Sequence, residues 1–240
     1  MNDPEGWLRH PGTIILSLSG GGCSPALFGK VATTQPRWHA LDWCAGEGPF
    51  DPESVAGRLG RALGARRHPT LLAGHSLGGF ISLLTALRYP GRVQGLIISN
   101  TGAHTGQHGD HSLPERVRHH WTDAAQASFL AGCFMRQPVD PLWSELRGYL
   151  ARLPAQALLE AIEGLRRLDL RDSLPAITCP ALIAHGALDR RRSPHAAWEL
   201  SQGMACAQLV MLPGAHTPMV DCPVHYRAVV GRFLSDLRYA

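Results

Sequence analysis

The sequence predicts an α/β fold in which a mostly parallel sheet of about six or more strands is covered by helices on both faces. Short apolar runs without a polar face alternate with helical patterns, which is typical of strands buried on both sides. Residues 100–178 interrupt this alternation and carry only helical patterns. A hydrophobic fraction of 45% and a charged fraction of 18% over 240 residues suit one globular domain. We therefore expect one α/β core with an inserted helical cap.

The first half of the chain contains four of the expected strands. They are the runs at residues 13–18, 38–43, 70–74 and 93–99. A helix at residues 54–63 follows the start signal Asp51-Pro52, and an apolar helix at residues 77–89 stops before Pro90. This order is typical of repeated β-α-β units, whose strands pair in parallel.

The second half completes the sheet after the helical interval. Strands are predicted at residues 181–184 and 208–212, with helices at about 194–201 and 223–237. The interval begins with a Gly- and His-rich loop at residues 102–111 and continues with helical patterns at 115–134, 141–152 and 154–168. We interpret residues 100–178 as the cap, and residues 1–99 and 179–240 as the core. The cap would lie at the carboxyl edge of the sheet, where open α/β sheets bind ligands.

Charge and composition exclude several classes of function. The net charge of +4 comes from 23 Lys and Arg against 19 Asp and Glu, scattered along the chain, so we expect no nucleic-acid partner. No apolar run approaches the ~20 residues that span a bilayer, so we expect no membrane association. The polar first 12 residues do not form a secretory signal, and the six cysteines include no CxxC pair. These features favour free thiols in a cytoplasmic protein.

The strongest local signal is the segment Gly-His-Ser-Leu-Gly-Gly at residues 74–79. It lies between a predicted strand and a predicted helix, which is the context of a nucleophile elbow with Ser76 at the turn. Small residues on either side let the backbone pass closely, and the helix N-terminus favours developing negative charge. Because 26 residues are glycine, the Gly-x-Ser-x-Gly pattern alone is weak. Its position between strand and helix is what predicts Ser76 as the nucleophile.

An oxyanion hole requires two N–H donors near the nucleophile. The first is expected from Leu77, directly after Ser76, and the second from the loop after the first strand. That loop reads Ser-Gly-Gly-Gly-Cys at residues 19–23, and its candidate donor is Gly21 or the neighbouring Gly22. A phosphate-binding loop is the alternative interpretation. The segment lacks both the Gly-Lys-Ser/Thr ending of a P-loop and the Gly-x-Gly-x-x-Gly spacing.

The base must be chosen among 13 histidines by context. His216 follows the last predicted strand and precedes the last helix, which places it at the same sheet edge as Ser76. Asp189 follows the fifth strand and would accept a hydrogen bond from the ring of His216. The resulting chain order of Ser, acid and His is the order known for this arrangement. Asp110 is the second choice of acid, and the alternative for Asp189 is an ion pair with the arginines at 190–192.

Further candidates surround this constellation. The arginines at 190–192 form either a solvated surface or a site for an anionic substrate group. Five histidines, His104, His108, His111, His119 and His120, could suggest a metal site. The glycines between them would break any helix that aligned them, so we expect a polar lid loop, no metal and no cofactor. Cap aromatics should mostly form the core of the cap, while a few contact substrate. The candidates for substrate contact are Gly22, His75, Trp121, Phe134 and Trp143.

With these residues, the chain resembles the α/β-hydrolase superfamily over residues 13–237. Within it, the chain is most similar to short capped esterases and lactonases, especially the 3-oxoadipate enol-lactonases. The resemblance rests on residues 74–79, 88–93, 99–106, 168–175, 186–189 and 213–216. The chain departs where Ser-Gly at 19–20 replaces the usual His-Gly and Ala215 replaces a glycine. The short segment before the first strand also predicts that the usual opening antiparallel hairpin is missing or reduced.

The sequence therefore predicts a serine hydrolase that cleaves a small or medium carboxylic ester or lactone through an acyl-enzyme. The alternatives are thioester cleavage, carbon–carbon bond cleavage or a lyase step on the same three residues, because fold does not determine reaction. A ligand-binding protein without catalysis is a third hypothesis, which the intact Ser, His and Asp set disfavours. The expected partner is a small molecule, and the sequence does not identify an oligomeric state.

Overall fold

Six parallel strands form one sheet in the computed structural model, which describes residues 6–33, 36–105 and 110–239. The strands are β1 (Ile14–Leu18), β2 (Arg37–Leu41), β3 (Thr70–His75), β4 (Gly95–Ser99), β5 (Ala181–Gly186) and β6 (Ala207–Leu212). Their order across the sheet is β2-β1-β3-β4-β5-β6, and every neighbouring pair is parallel. This arrangement confirms the predicted fold class.

Helices cover both faces of the sheet. They are α1 (Pro52–Gly64), α2 (Leu77–Arg88), α3 (Leu113–His119), α4 (Asp123–Ala131), α5 (Leu142–Arg152), α6 (Ala155–Arg166), α7 (Pro194–Gly203), α8 (Pro218–Asp221) and α9 (Pro223–Tyr239). Alternate residues of β1 belong to two different buried clusters, with Ile14 and Leu16 in one and Ile15 in the other. The same alternation occurs in β4. A sheet buried on both faces explains why its strands appear in the sequence as continuous apolar runs.

Between β4 and β5, the described part of the chain forms four α-helices, α3 to α6, followed by a 3-10 helix at Arg171–Ala176. The prediction of a single helix over residues 115–134 is wrong, because the chain breaks between α3 and α4. Thr122 begins α4 as its N-cap, and its hydroxyl accepts a hydrogen bond from the backbone N–H of Ala125 at 3.2 Å. The other two cap helices lie where the sequence predicts them. The division into core and cap at residues 99–100 and 178–179 stays a prediction.

The cysteines are free thiols in this fold. Four of the six, Cys23, Cys44, Cys133 and Cys222, are buried, where a thiol packs as a small apolar group. No helix in the described part of the chain is long and apolar enough to cross a bilayer.

Two glycines allow β1, β3 and α2 to approach closely at the turn after β3. A Cβ atom on Gly74 would lie 2.4 Å from the Cα of Gly79, and one on Gly78 would lie 2.2 Å from the backbone oxygen of Leu18. Both distances are far inside van der Waals contact with backbone atoms, which cannot move without displacing a strand or helix. The turn therefore requires glycine at both positions.

We expect Gly78→Ala to lower the free energy of unfolding by about 2 kcal/mol or more, since overpacking against backbone costs roughly 1–3 kcal/mol. Gly231→Ala in α9 is the matched control, because a Cβ there meets no atom within 4 Å. It should leave stability unchanged or raise it by up to about 1 kcal/mol through helix propensity. Urea unfolding measures both. Equal stability of the two variants would show that α2 shifts freely away from β1.

Candidate active site

Ser76 lies at a strained turn between β3 and α2. Its backbone has φ 52° and ψ −119°, in a region that residues other than glycine rarely adopt, and its N–H donates to the oxygen of Ser99 at 2.9 Å. Such a conformation costs of the order of 1–3 kcal/mol and persists where the surrounding structure enforces it. The turn reverses the chain at the carboxyl edge of the sheet, and Ser76 lines a cavity there.

His216 contacts Ser76 directly. Its Nε2 lies 3.1 Å from the Oγ of Ser76, and its Nδ1 lies 2.8 Å from Oδ2 of Asp189. A carboxylate only accepts hydrogen bonds, so Nδ1 carries the proton and Nε2 is free to accept one from the hydroxyl. The structure thus brings together the three residues that the sequence singled out as nucleophile, base and acid.

The carboxylate of Asp189 is buried and accepts four hydrogen bonds. Oδ2 accepts from Nδ1 of His216 at 2.8 Å and from Nδ2 of Asn100 at 2.7 Å. Oδ1 accepts from the backbone N–H groups of Arg191 at 2.7 Å and Arg192 at 3.1 Å. Burial alone raises the pKa of Asp189, but the charge of His216 and these hydrogen bonds together hold it below its usual value. The group is therefore ionised at neutral pH, as an orienting acid must be.

Asn100 has a role in this site that the sequence did not reveal. It follows β4 in a left-handed conformation, φ 50°, and is fully buried. Its Nδ2 donates to Asp189 and also to the oxygen of Ala215 at 3.0 Å, while its Oδ1 accepts from the N–H of Gly186 at 3.3 Å. Asn100 thereby connects the end of β5, the acid and the loop of the base. The sequence signal for this residue is an Asn directly after a predicted strand, because Asn adopts the left-handed conformation more readily than most residues.

His75 connects the oxyanion loop with the loop of the base. The N–H of Gly20 donates to Nδ1 of His75 at 3.2 Å, so Nε2 carries the proton and donates to the oxygen of His216 at 2.8 Å. The two imidazole rings are in edge contact, with centroids 4.9 Å apart. Burial, together with the nearby charge of His216, lowers the pKa of His75 to about 3. His75 borders the cavity, yet both of its nitrogens are occupied by backbone groups.

The cavity above Ser76 has a volume of about 440 Å³. Both predicted oxyanion donors, Gly21 and Leu77, line it. Leu77 is the first residue of α2, where backbone N–H groups have no acceptor within the helix. The N–H of Gly20 is already used by His75, which leaves Gly21 as the candidate on the opposite loop.

The cap contributes a different set of residues to the cavity from the one that the sequence suggested. Apolar side chains on its wall are Leu113, Phe129, Leu158, Ile162 and Leu165. The structure does not bring Trp121, Phe134 or Trp143 to this wall. Phe134 is buried in the apolar cluster beneath the cap, and the two tryptophans pack against that cluster.

Gly22 also lies outside the described cavity lining. It adopts a left-handed conformation with φ 76°, and a Cβ atom there would lie 3.0 Å from Cδ1 of Leu150. Gly22 therefore lets the oxyanion loop pack closely against α5.

The remaining candidates have other partners. Asp110 pairs with Arg116 and accepts from Ser112, rather than reaching His216. His104 lies 3.3 Å from Glu199, and His108 falls outside the described residues. Over residues 6–33, 36–105 and 110–239, no group of three or more His, Cys, Asp or Glu side chains is placed to hold a metal ion.

Residues 11–228 match the alpha/beta hydrolase family. The chain belongs to that family. This α/β-hydrolase is 27% identical over 240 aligned residues to the pimeloyl-[acyl-carrier protein] methyl ester esterase of Edwardsiella ictaluri (strain 93-146), covering 91% of this chain and 92% of that protein. It is also 27% identical over 261 aligned residues to the protein of the same name from Shewanella sp. (strain MR-7), covering 96% and 94%.

Solved structures show the same fold. The enol-lactonase from Burkholderia xenovorans LB400 superimposes with a TM-score of 0.79 at 21% identity, covering 95% of this chain and 93% of that one. An esterase from Exiguobacterium antarcticum superimposes with a TM-score of 0.82 at 18% identity, covering 93% and 92%. At such identities the likeness establishes the fold alone. The family and the named relatives make this α/β-hydrolase an enzyme similar to esterases.

We expect Asn100→Ala to lower the free energy of unfolding by about 1–3 kcal/mol, because it leaves buried groups of Asp189, Ala215 and Gly186 without a partner. Gln94→Ala is the matched control, since that exposed amide donates only one hydrogen bond, to Gly91 at 3.1 Å. Its effect should stay within about 0.5 kcal/mol. Urea unfolding compares the two, and a similar small loss for both would contradict a supporting role for Asn100.

The lowered pKa of His75 makes stability depend on pH. Between pH 6.5 and about 3, the unfolded chain binds a proton at this residue and the folded chain does not, so stability falls as pH falls. The contribution reaches at most about 1.4 kcal/mol per pH unit. Urea unfolding at pH 7, 6, 5 and 4.5 should give a shallower slope for His75→Gln than for wild type. His225→Gln, at an exposed position of α9, is the control for loss of a histidine. If the unfolding free energies of wild type and His75→Gln changed equally with pH, the lowered pKa of His75 would be refuted.

Proposed function

We propose that this α/β-hydrolase is a serine hydrolase that cleaves a small or medium carboxylic ester or lactone through an acyl-enzyme. The observation that carries the proposal is the continuous chain of contacts from Asp189 through His216 to Ser76. The two distances, 2.8 Å and 3.1 Å, are those of hydrogen bonds, and the chain ends at a cavity. A nucleophile, its base and the group that orients the base are the minimal set for this chemistry.

The proposed reaction depends on which groups can accept and donate protons. Nε2 of His216 takes the hydroxyl proton as Oγ of Ser76 attacks the acyl carbon, and the ionised Asp189 stabilises the imidazolium that forms. The N–H groups of Gly21 and Leu77 would donate to the oxyanion of the tetrahedral intermediate. His216 then gives its proton to the leaving alcohol oxygen, which stays attached to the acyl group when the substrate is a lactone. Water, activated by the same nitrogen, releases the acid and restores Ser76.

Two further observations support an ester or lactone as substrate. The relatives named above act, by name, on a methyl ester, and the two solved structures are an enol-lactonase and an esterase. The cavity volume of about 440 Å³ lies in the range of sites that hold one small molecule, and five apolar side chains contribute to its wall. Thioester cleavage, carbon–carbon cleavage and lyase chemistry stay alternative predictions for the same three residues.

The test is hydrolysis of short p-nitrophenyl acyl esters and of simple lactones by wild type and by Ser76→Ala. We expect Ser76→Ala and His216→Ala to lower kcat by at least about 1,000-fold, and Asp189→Asn by a factor of the order of 10⁴. A fluorophosphonate probe should label wild type once, with the mass increase on the peptide containing Ser76.

Ser201→Ala is the matched control, because this hydroxyl lies in α7 and donates to the oxygen of Trp198. It should keep wild-type kcat and labelling. Undiminished hydrolysis by Ser76→Ala would overturn the assignment of the nucleophile. A folded wild-type protein that turns over neither esters nor lactones would contradict the proposed reaction.

A further inference from the structure

The cavity above Ser76 contains an excess of positive charge. Its described lining includes five arginines, Arg116, Arg166, Arg190, Arg191 and Arg192, but only one side chain of opposite charge outside the catalytic set, Asp110. The whole chain has a net charge of +4. The excess of arginines over Asp110 in the lining of this cavity is therefore as large as the net charge of the whole chain.

Three of these arginines already bind protein groups. Arg116 forms an ion pair with Asp110, which neutralises both. Arg166 donates to the backbone oxygens of Asp110 at 2.8 Å and His111 at 3.2 Å. Arg191 donates to the oxygen of Phe129 at 2.5 Å and lies over the ring of the same residue. The carbonyl oxygens that Arg166 and Arg191 bind carry no net charge, so these contacts do not neutralise either guanidinium.

The other two have no such role. Arg190 is exposed and forms no ion pair or hydrogen bond with its side chain to any residue that the structure describes. Arg192 is partly exposed as a residue, but its Nη1 is buried and has no hydrogen-bond partner within the described chain. The carboxylate of Asp189, whose charge acts on Arg192, accepts four hydrogen bonds, none of them from the guanidinium of Arg192. Arg192 therefore has a buried N–H group without an acceptor in the described chain, and an anion at this wall would supply one.

We propose that Arg190 and Arg192 bind an anionic group, a carboxylate or a phosphate, on the substrate whose ester is cleaved at Ser76. This inference rests on the proposed function, because it concerns the same cavity. Guanidinium groups form strong, charge-assisted hydrogen bonds to either anion. Arg190 and Arg192 lie one and three residues after Asp189 in the chain, so an anion bound there lies beside the loop that holds the acid. The scissile ester and the anion must then fit together in one small cavity.

A competing interpretation is that these arginines have only a structural role, as Arg191 has through its hydrogen bonds to Phe129 and Gly132. It predicts no dependence of turnover on substrate charge. The two interpretations therefore differ in the ratio of kcat/KM for a charged ester to kcat/KM for a neutral ester. That ratio does not depend on the absolute activity of a variant.

The experiment compares p-nitrophenyl esters of one chain length that end in a carboxylate, a phosphate or a neutral amide. Wild type should show kcat/KM at least about tenfold higher for one of the two charged esters than for the neutral one. Arg190→Gln and Arg192→Gln should each lower that ratio by about five- to tenfold, and Arg190→Glu should lower it further. The ratio should also fall at 0.5 M salt, because salt screens partly exposed charges.

Arg136→Gln is the matched control. The substitution removes the same charge, but Arg136 is exposed and lies outside the cavity lining. It should keep the wild-type ratio. If Arg192→Gln does not fold, Arg192→Lys retains the charge and should retain most of the preference. Whichever charged ester wild type prefers identifies the anion as carboxylate or phosphate.

Binding gives a readout that does not depend on turnover. Titration calorimetry with Ser76→Ala should show binding of the preferred charged ester, lost when Arg190→Glu is added. This inference would be overturned if wild type hydrolysed charged and neutral esters with equal kcat/KM and Ser76→Ala did not bind the charged ester. The proposed function would then remain intact. Charge-dependent binding without turnover of any ester would instead overturn the proposed function.

Discussion

The arrangement of the site depends on one buried carboxylate, that of Asp189. It receives hydrogen bonds from side chains that follow β4 and β6 and from two backbone N–H groups of its own loop. A charge removed from water needs such donors, because an uncompensated buried carboxylate would instead take up a proton. The parallel sheet supplies them, since all of its strands end at the same edge. The loops after β4, β5 and β6 are thus held together by a single ionised group.

A second set of bonds holds the nucleophile to the same edge. His75 joins the loop after β1 to the backbone of His216, and it does so as a neutral ring with one donor and one acceptor. Ser76 and Asn100, the two non-glycine residues with positive φ in the described chain, directly follow β3 and β4. Backbone strain is thus concentrated where the candidate catalytic groups converge, a pattern typical of functional sites.

The predicted cap, helices α3 to α6, contacts the loops that carry the acid and the base. Arg191 binds the last turn of α4, the hydroxyl of Thr217 donates to the oxygen of Cys133 at 3.0 Å, and the N–H of Met135 donates to Asp221 at 3.0 Å. Residues near Asp189 and His216 in the chain therefore contact α4 and the segment that follows it. The wall of the cavity and the candidate triad are consequently placed relative to each other by a few short contacts.

The amino-acid sequence predicts all six strands, most of the helices and the polar residues that follow the strands. Apolar runs reveal buried strands, parallel strands share an edge, and Ser76, Asp189 and His216 each follow a strand. Which side chains meet across that edge depends on tertiary packing. Examples are the hydrogen bonds of Asn100 and His75, the arginines that line one cavity from distant parts of the chain, and the presence of Phe129 rather than Trp121 at the cavity. Periodicity identifies the apolar face of a helix, but which neighbour that face meets depends on how distant segments pack.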